Sequence, residues 1–353
     1  MSRILRRIAV TALFLLTINP TALTAADATD TEESQSENPI DVIGKVQDHH
    51  YLDVAGYHVY LPRIIFVEGS ALPKVYATTE AAVESGEFEE LPDHSLVSTT
   101  GNEIVLDMSI TSHLMYFWFA IVLTLWITIS MARKYKKGAG RETEPTGWFQ
   151  NLFELTFVFV RDEIAKPNIT ESKYKKFVPY LFAVFVAITF MNLFGLLPWG
   201  VTATADITVT AILAAFTFFL TQWNGSKDHW EHVFMFPGVP PLMRLILTPI
   251  EILGLFTKPL ALAVRLFANM LSGKIMIICI LGLIFIFTEF FSPAFGLGSS
   301  ILVVPLTVAL YVLKAFVGVL QAYIFTLLSA VFIGMAAEEH EHHDYEEGVE
   351  MHA

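Results

Sequence analysis

The chain has 353 residues, of which 54% are hydrophobic and only 16% charged, with 29 phenylalanines and a mean hydropathy of +0.54. Soluble domains rarely reach that balance, and several apolar runs exceed the roughly 18 residues of a spanning helix, so the sequence reads as a polytopic membrane protein. The net charge of −13 excludes a basic nucleic-acid surface, and the single Cys279 excludes a disulfide framework and a thiolate metal cluster.

Arg3, Arg6 and Arg7 precede the apolar stretch Ile8–Leu16 and the small residues Thr24-Ala25-Ala26. This is the layout of a cleaved signal peptide over residues 1–26; an uncleaved anchor helix is the other reading. Cleavage places residue 27 onward outside the cytoplasm. Residues 27–110 are polar and are expected to form a small extracytoplasmic segment. Asp27–Glu37 has the composition of a linker, and His49–Val67 alternates around the turn-prone Ala55-Gly56, predicting one or two strands. His49, His50 and His58 lack a defined ligand spacing and read as solvated rather than metal-binding.

The first span is predicted at about Ser112–Ala132. Arg133, Lys134, Lys136, Lys137 and Arg141 follow it and mark a cytoplasmic end, in agreement with the signal peptide. Trp148–Ile164 carries apolar residues at helical spacing among charges and predicts an amphipathic helix on the cytoplasmic face. Lys173, Lys175 and Lys176 introduce a second span, about Phe177–Leu197, which runs outward. The connection Pro198–Asp206 carries no Lys or Arg, and the third span, about Ile207–Trp223, returns inward.

From Leu245 to about Phe290, and from Ile301 to about Met335, the chain is almost continuously apolar. At ~1.5 Å rise per residue each stretch far exceeds a ~30 Å hydrocarbon core, so each either folds into two spans or forms one strongly tilted helix. A turn at Ser292-Pro293 separates them. One helix per stretch gives an all-α membrane domain of about five helices over residues 111–338, the last two long and tilted. The acidic cytoplasmic tail 339–353, with His340, His342, His343 and His352, reads as a solvated charge run rather than a metal site.

Arg265 lies in this apolar region. A guanidinium stays protonated, and placing it near a bilayer centre costs ~2.5–3.5 kcal/mol on insertion scales, so it is expected either to face a partner or transport path, or to snorkel to an interface. Glu251, Lys258, Arg265 and Ser272 recur every seven residues, with Asn269 one turn after Arg265. Positions seven apart share a helix face, so a polar stripe runs along an apolar helix. The second stretch offers Lys314 and Gln321, again seven apart, with Tyr311 nearby. Two such stripes make either a buried hydrophilic pathway or an interhelical hydrogen-bond seam.

The segment Lys258-Pro-Leu-Ala-Leu-Ala-Val-Arg265-Leu-Phe-Ala-Asn269-Met-Leu-Ser272-Gly resembles the most diagnostic motif of F-type ATP synthase subunit a. Leu320-Gln-Ala-Tyr-Ile-Phe-Thr326, Met335-Ala-Ala-Glu-Glu-His340 and Met191-Asn-Leu-Phe-Gly-Leu-Leu-Pro198 resemble other parts of that family, in order, from roughly residue 112 to 340. The resemblance implies ion translocation, most readily of protons, through two half-channels beside a rotating c-subunit ring, in a bacterial inner membrane and with peripheral-stalk b subunits as further partners.

By the same resemblance Arg265 would meet the ring carboxylate and separate the half-channels. Asn269 and Gln321 would line the adjoining region, and Glu251 would serve the cytoplasmic half-channel. Lys274 and Lys314 depart from the pattern, since family members commonly carry Glu or His at these places of the external half-channel. A lysine relays protons there only if burial or a neighbouring cation lowers its pKa from about 10.4; the two lysines either lower one another or raise the barrier to proton loss outward. Gly195 likewise stands where some members carry Asp. No cofactor is expected and no nucleotide chemistry, since a GxxxxGK[ST] loop does not occur. The alternative, a stand-alone secondary transporter, would carry paired repeats with broken helices, and the sequence offers no such repeat.

Overall fold

The computed structural model describes residues 50–54, 57–68, 73–91, 96–99, 104–136, 147–197, 200–235 and 240–338. The expected signal peptide, the Asp27–Glu37 linker, His49 and the tail histidines lie outside the described residues. The chain divides into two compact units, and the described part of the first is residues 60–68, 73–91, 96–99 and 104–109.

Three strands, not one or two, arise from the alternating stretch: β1 (Tyr51–Val54) paired with β2 (Tyr57–Tyr60), then β3 (Arg63–Val67). Pro62, which has no N–H to donate, separates the last two. In the first unit β3 is the centre of an antiparallel sheet between β4 (Lys74–Tyr76) and β7 (Ile104–Asp107), with Ile64 opposite Val75 and Phe66 opposite Leu106. A short helix α1 (Thr79–Glu84) and the pair β5 (Phe88–Glu90) and β6 (Leu96–Ser98) complete it. Alternate residues of β3 turn inward, so Ile65 and Val67 pack with Ala82, Phe88 and Leu96. Arg63, 1% exposed, is buried with them. It donates to Thr79 Oγ1 at 3.1 Å and pairs with Asp107 at 3.6 Å, which compensates its desolvation.

The second unit is helical. Helix α2 (Ser112–Lys136) ends on Arg133, Lys134 and Lys136, cations that suit a helix C-terminus. The expected amphipathic helix is α3 (Trp148–Phe159), which continues as a π-helical segment, Val160–Ala165, into the short α4 (Lys166–Asn168). Helix α3 leaves Trp148, Phe149, Leu152 and Leu155 exposed, while Val160, Ile164 and Ala165 are buried. Asp162 fixes the π segment by pairing with Arg161 at 2.7 Å and Lys166 at 2.6 Å.

Helix α5 (Tyr174–Phe194) is the most deeply buried of the spanning helices, with about half of its apolar stretch covered, and forms the centre of this unit. A 3₁₀ turn (Ala203–Ala205) leads to α6 (Ile207–Trp223), whose N-cap Asp206 accepts from the Thr208 amide at 2.6 Å. Helix α7 (Lys227–Met235) bends away from α6 by 104°. Its charged sequence, from Lys227 to His232, places it outside the spans.

Each long apolar stretch is one helix: α8 (Pro241–Phe290) has 50 residues and α9 (Pro293–Ala337) has 45. They are about 75 and 68 Å long and cannot stand upright in a ~30 Å core, so strong tilt follows. Ser292 caps α9 through the Phe295 amide at 3.3 Å, with Pro293 in the first turn. Among the described residues four helices (α2, α5, α8 and α9) are long and apolar enough to cross a membrane alone, and α6, which reaches that length only when counted with the bent α7, brings the number up to five. The expected all-α architecture of about five membrane helices is thus present.

One end of the bundle gathers the lysines. Ser226 and Lys173 reach the last carbonyls of α9: Ser226 N donates to Ala336 O at 2.7 Å and Lys173 Nζ to Ala337 O at 2.9 Å. Lys176 Nζ donates to Asn224 Oδ1 at 2.7 Å, tying α5 to the end of α6. At the opposite end the 3₁₀ turn sinks in among the helices, with Thr202 and Thr204 buried.

Candidate ion-translocation site

Arg265 sits near the midpoint of α8 and is exposed. The buried flank of α8 is formed by Leu262, Ala263, Leu266 and Met270, so the guanidinium leaves the helix beside that flank rather than within it. No described carboxylate lies within ion-pair distance of it. One turn on, half-buried Asn269 donates from Nδ2 to Gln321 Oε1 of α9 at 3.2 Å. Gln321 is 3% exposed, and its Nε2 finds no hydrogen-bond acceptor among the described residues. Such an orphan costs about 1–3 kcal/mol, so a polar occupant or water beside it would be stabilising. Ser272 is exposed and donates only to the Asn269 carbonyl of its own helix, at 3.2 Å.

Toward the lysine-rich end the same stripe opens into a cavity of about 490 Å³ between α6, α7, α8 and α9. Glu251 and Lys258 of α8, His229 and His232 of α7, Gln222 of α6 and Glu338 line it. His229 lies 3.3 Å from Gln222 Oε1. Burial, then the Lys258 cation, hold its imidazole below the usual range against the opposing pull of Glu251. The imidazole is therefore neutral at neutral pH. Sequence spacing pointed to Glu251 but not to His229, which belongs to another helix. The signal it left was the pair His229 and His232 in a charged run beside Trp223.

Toward the other end, Lys274 of α8 and Lys314 of α9 are both half-buried. The Lys314 methylenes pack over Gly273, where a Cβ would stand at an ordinary contact distance of 3.5 Å from both Lys314 Cδ and Cε. One turn beyond Lys314, Gly318 packs on Asn192 of α5, which donates to Gly318 O at 2.8 Å and accepts from Thr204 Oγ1 at 2.6 Å. Thr202 Oγ1 is buried and has no hydrogen-bond partner among the described residues. Thr202 also fills the space that a side chain at Gly195 would need, its Cβ lying 2.6 Å from the Cβ position there. The structure therefore resolves the predicted stripe into three groups along about 35 Å of α8: a cavity with charged and histidine side chains in its wall, a central Arg265–Asn269–Gln321 set, and the two lysines.

Residues 114–334, more than half of the chain, match the family described as ATP synthase A chain. The chain is 43% identical over 249 residues to ATP synthase subunit a of Chloroherpeton thalassium, covering 69% of this chain and 71% of that protein. It is 41% identical to ATP synthase subunit a of Chlorobium phaeobacteroides, covering 70% of each, and 42% identical to that of Myxococcus xanthus, covering 68% of this chain and 76% of the relative. The matched span runs from the first turn of α2 almost to the end of α9 and includes the residues of the site just described except Glu338. The chain belongs to the ATP synthase A chain family.

Proposed function

We propose that this chain carries protons across the membrane through two half-channels at an interface with a rotating c-subunit ring, and couples their flow to ATP synthesis. The observation that carries the reading is Arg265: a permanent cation at mid-helix, exposed, without a carboxylate among the described residues, and beside a buried amide pair with a free donor. A carboxylate on a passing partner helix supplies the missing counter-charge. In this mechanism a proton enters from outside and neutralises a ring carboxylate, which then turns into lipid. After nearly a full rotation the carboxylate meets Arg265, which favours its ionised form and releases the proton toward Glu251 and the His229-lined cavity. The fixed charge also blocks a direct leak between the half-channels. Each charge crossing gains ~2.3 kcal/mol per 100 mV, so several cross for each ATP.

The chain performs no phosphate chemistry in this reading; the soluble head of the complex does, and b subunits of the peripheral stalk hold the two together. The lysine-rich end faces the cytoplasm of a bacterial inner membrane, as basic flanks do. The test is Arg265→Ala in the assembled complex, reading ATP-driven pumping and passive leak in vesicles. Loss of pumping with intact assembly is expected; normal pumping would reduce Arg265 to a snorkelling residue and remove the mechanism.

A further inference from the structure

The cavity at the lysine-rich end holds one side chain that the α8–α9 stripe does not supply. Its wall runs from Leu262, one turn before Arg265, to Glu251, about 16 Å further back along α8. His229 enters from α7, and three elements fix its ring. Ser226 N donates to Ala336 O and Ser226 Oγ to Glu338 O, both at 2.7 Å, so the start of α7 is held on the end of α9. The His229 amide in turn donates to Ser226 Oγ at 3.1 Å. The imidazole lies over Gly225 in the bend between α6 and α7, where a Cβ would stand only 3.1 Å from His229 Cδ2. From α6, Gln222 Oε1 lies 3.3 Å from His229 Nε2. An amide oxygen only accepts, so the neutral ring carries its hydrogen on Nε2 and keeps a lone pair on Nδ1.

The charged groups of the cavity come from three sides. Glu251 and Lys258 belong to α8, Asp228, Glu231 and His232 to α7, and Glu338 follows α9, while Gln222 of α6 is neutral. Burial, then Lys258, favour the uncharged ring; Glu251 opposes them, and the exposed His232 adds a little to their side. Such opposed pulls suit a group that takes a proton and gives it back. An imidazole is also the side chain whose ordinary pKa, about 6.5, lies closest to neutral pH.

We propose that His229 is the base through which protons leave this cavity for the cytoplasm, with Gln222 as the residue that positions its ring. The inference rests on the proton-translocation reading above and adds to it a group from α7. A proton released from a ring carboxylate beside Arg265 passes to water in the cavity, and the Nδ1 lone pair forms a bond to it. That N–H bond then breaks toward a base in the cytoplasmic solution, and the neutral imidazole is restored. Gln222 takes no proton; it accepts the Nε2 hydrogen and so keeps the lone pair on Nδ1.

The experiment uses the whole complex in vesicles, with ATP synthesis driven by an imposed potential and the pH varied on the cytoplasmic side alone. Wild-type synthesis should decline as that pH falls through the range where imidazolium forms, because a protonated ring accepts nothing. His229→Ala should lower synthesis by about tenfold or more, as for loss of a general base, and should remove this acid limb. Free imidazole on the cytoplasmic side should raise the His229→Ala rate in proportion to its concentration and leave wild type unchanged, a response that a merely structural histidine would not give. Gln222→Glu sets a carboxylate beside the ring, favours imidazolium, and should move the acid limb to higher pH by about one unit. It also decides the matter if His229→Ala fails to assemble. Full synthesis in His229→Ala, a lowered rate that imidazole does not raise, or an unmoved limb in Gln222→Glu would each overturn the proposal. Arg265→Ala in the same vesicles separates the two readings: if it abolishes synthesis while His229→Ala behaves as wild type, only the role of His229 falls. If Arg265→Ala also synthesises normally, the translocation reading falls with it.

Discussion

At the scale of single residues, Gly195 and Thr202 exchange volume. A side chain at Gly195 would need space that Thr202 occupies, with Thr202 Cα 2.9 Å from the Cβ position as well. Gly195→Asp should therefore overpack this buried corner at a cost of about 1–3 kcal/mol, read as a lower thermal midpoint of the assembled complex. Adding Thr202→Ala should recover part of the loss; a single variant as stable as wild type would refute the exchange. Asn269 and Gln321 make a second case. Asn269→Leu leaves both ends of the buried Gln321 amide without described partners, which costs about 1–3 kcal/mol, and pumping should fall with it. Retained pumping at wild-type stability in Asn269→Leu would make the amide pair a packing seam. Both residues were legible in the sequence because helical spacing and the family motif agree on them. His229 and Thr202 were not, since each acts from a different element whose approach to α8 no local pattern encodes.

At the scale of elements, the sequence marked where α2, α5 and α6 begin and end to within a few residues, because caps and charges flank them. It left open whether each long stretch is one helix or two. Pro249, Pro259 and Pro305 would break helices in water, yet α8 and α9 run through them. In a membrane the freed carbonyls are satisfied by neighbours and small adjustments, so the usual breakers lose their meaning. The π segment after α3 was equally hidden. Its Asp162 carboxyl is held well below the usual carboxylate range, first by Arg161 and then by Lys166. A depressed carboxylate contributes stability above its unfolded pKa and loses it as pH falls through the folded value. Asp162→Asn should thus raise hydrogen exchange over residues 160–168 at pH 7, relative to wild type at the same pH. The difference should shrink below about pH 4, where the carboxyl of the opened segment takes up a proton while that of the folded segment stays ionised. An equal exchange rate at pH 7 would mean that the ion pairs do not hold the segment.

At the scale of the whole molecule, direction across the membrane decides what each group of the site can do. The argument for direction is asymmetry of charge: α2 ends on three cations, α5 begins beside Lys173, Lys175 and Lys176, and α7 opens with Lys227. The described connection 200–206 and the turn at Phe291-Ser292 carry no Lys or Arg. This asymmetry was readable from composition alone, whereas the role of the first unit was not, because its buried Arg63 and small sheet serve its own stability. Cysteine labelling tests the direction. In a Cys279→Ser background, Phe291→Cys should react with a membrane-impermeant maleimide added outside intact cells, and Lys175→Cys should react only after permeabilisation. The opposite pattern would turn the Thr202 end toward the cytoplasm. The His229 cavity would then become the entry side, and the mechanism would have to run with its two arms exchanged.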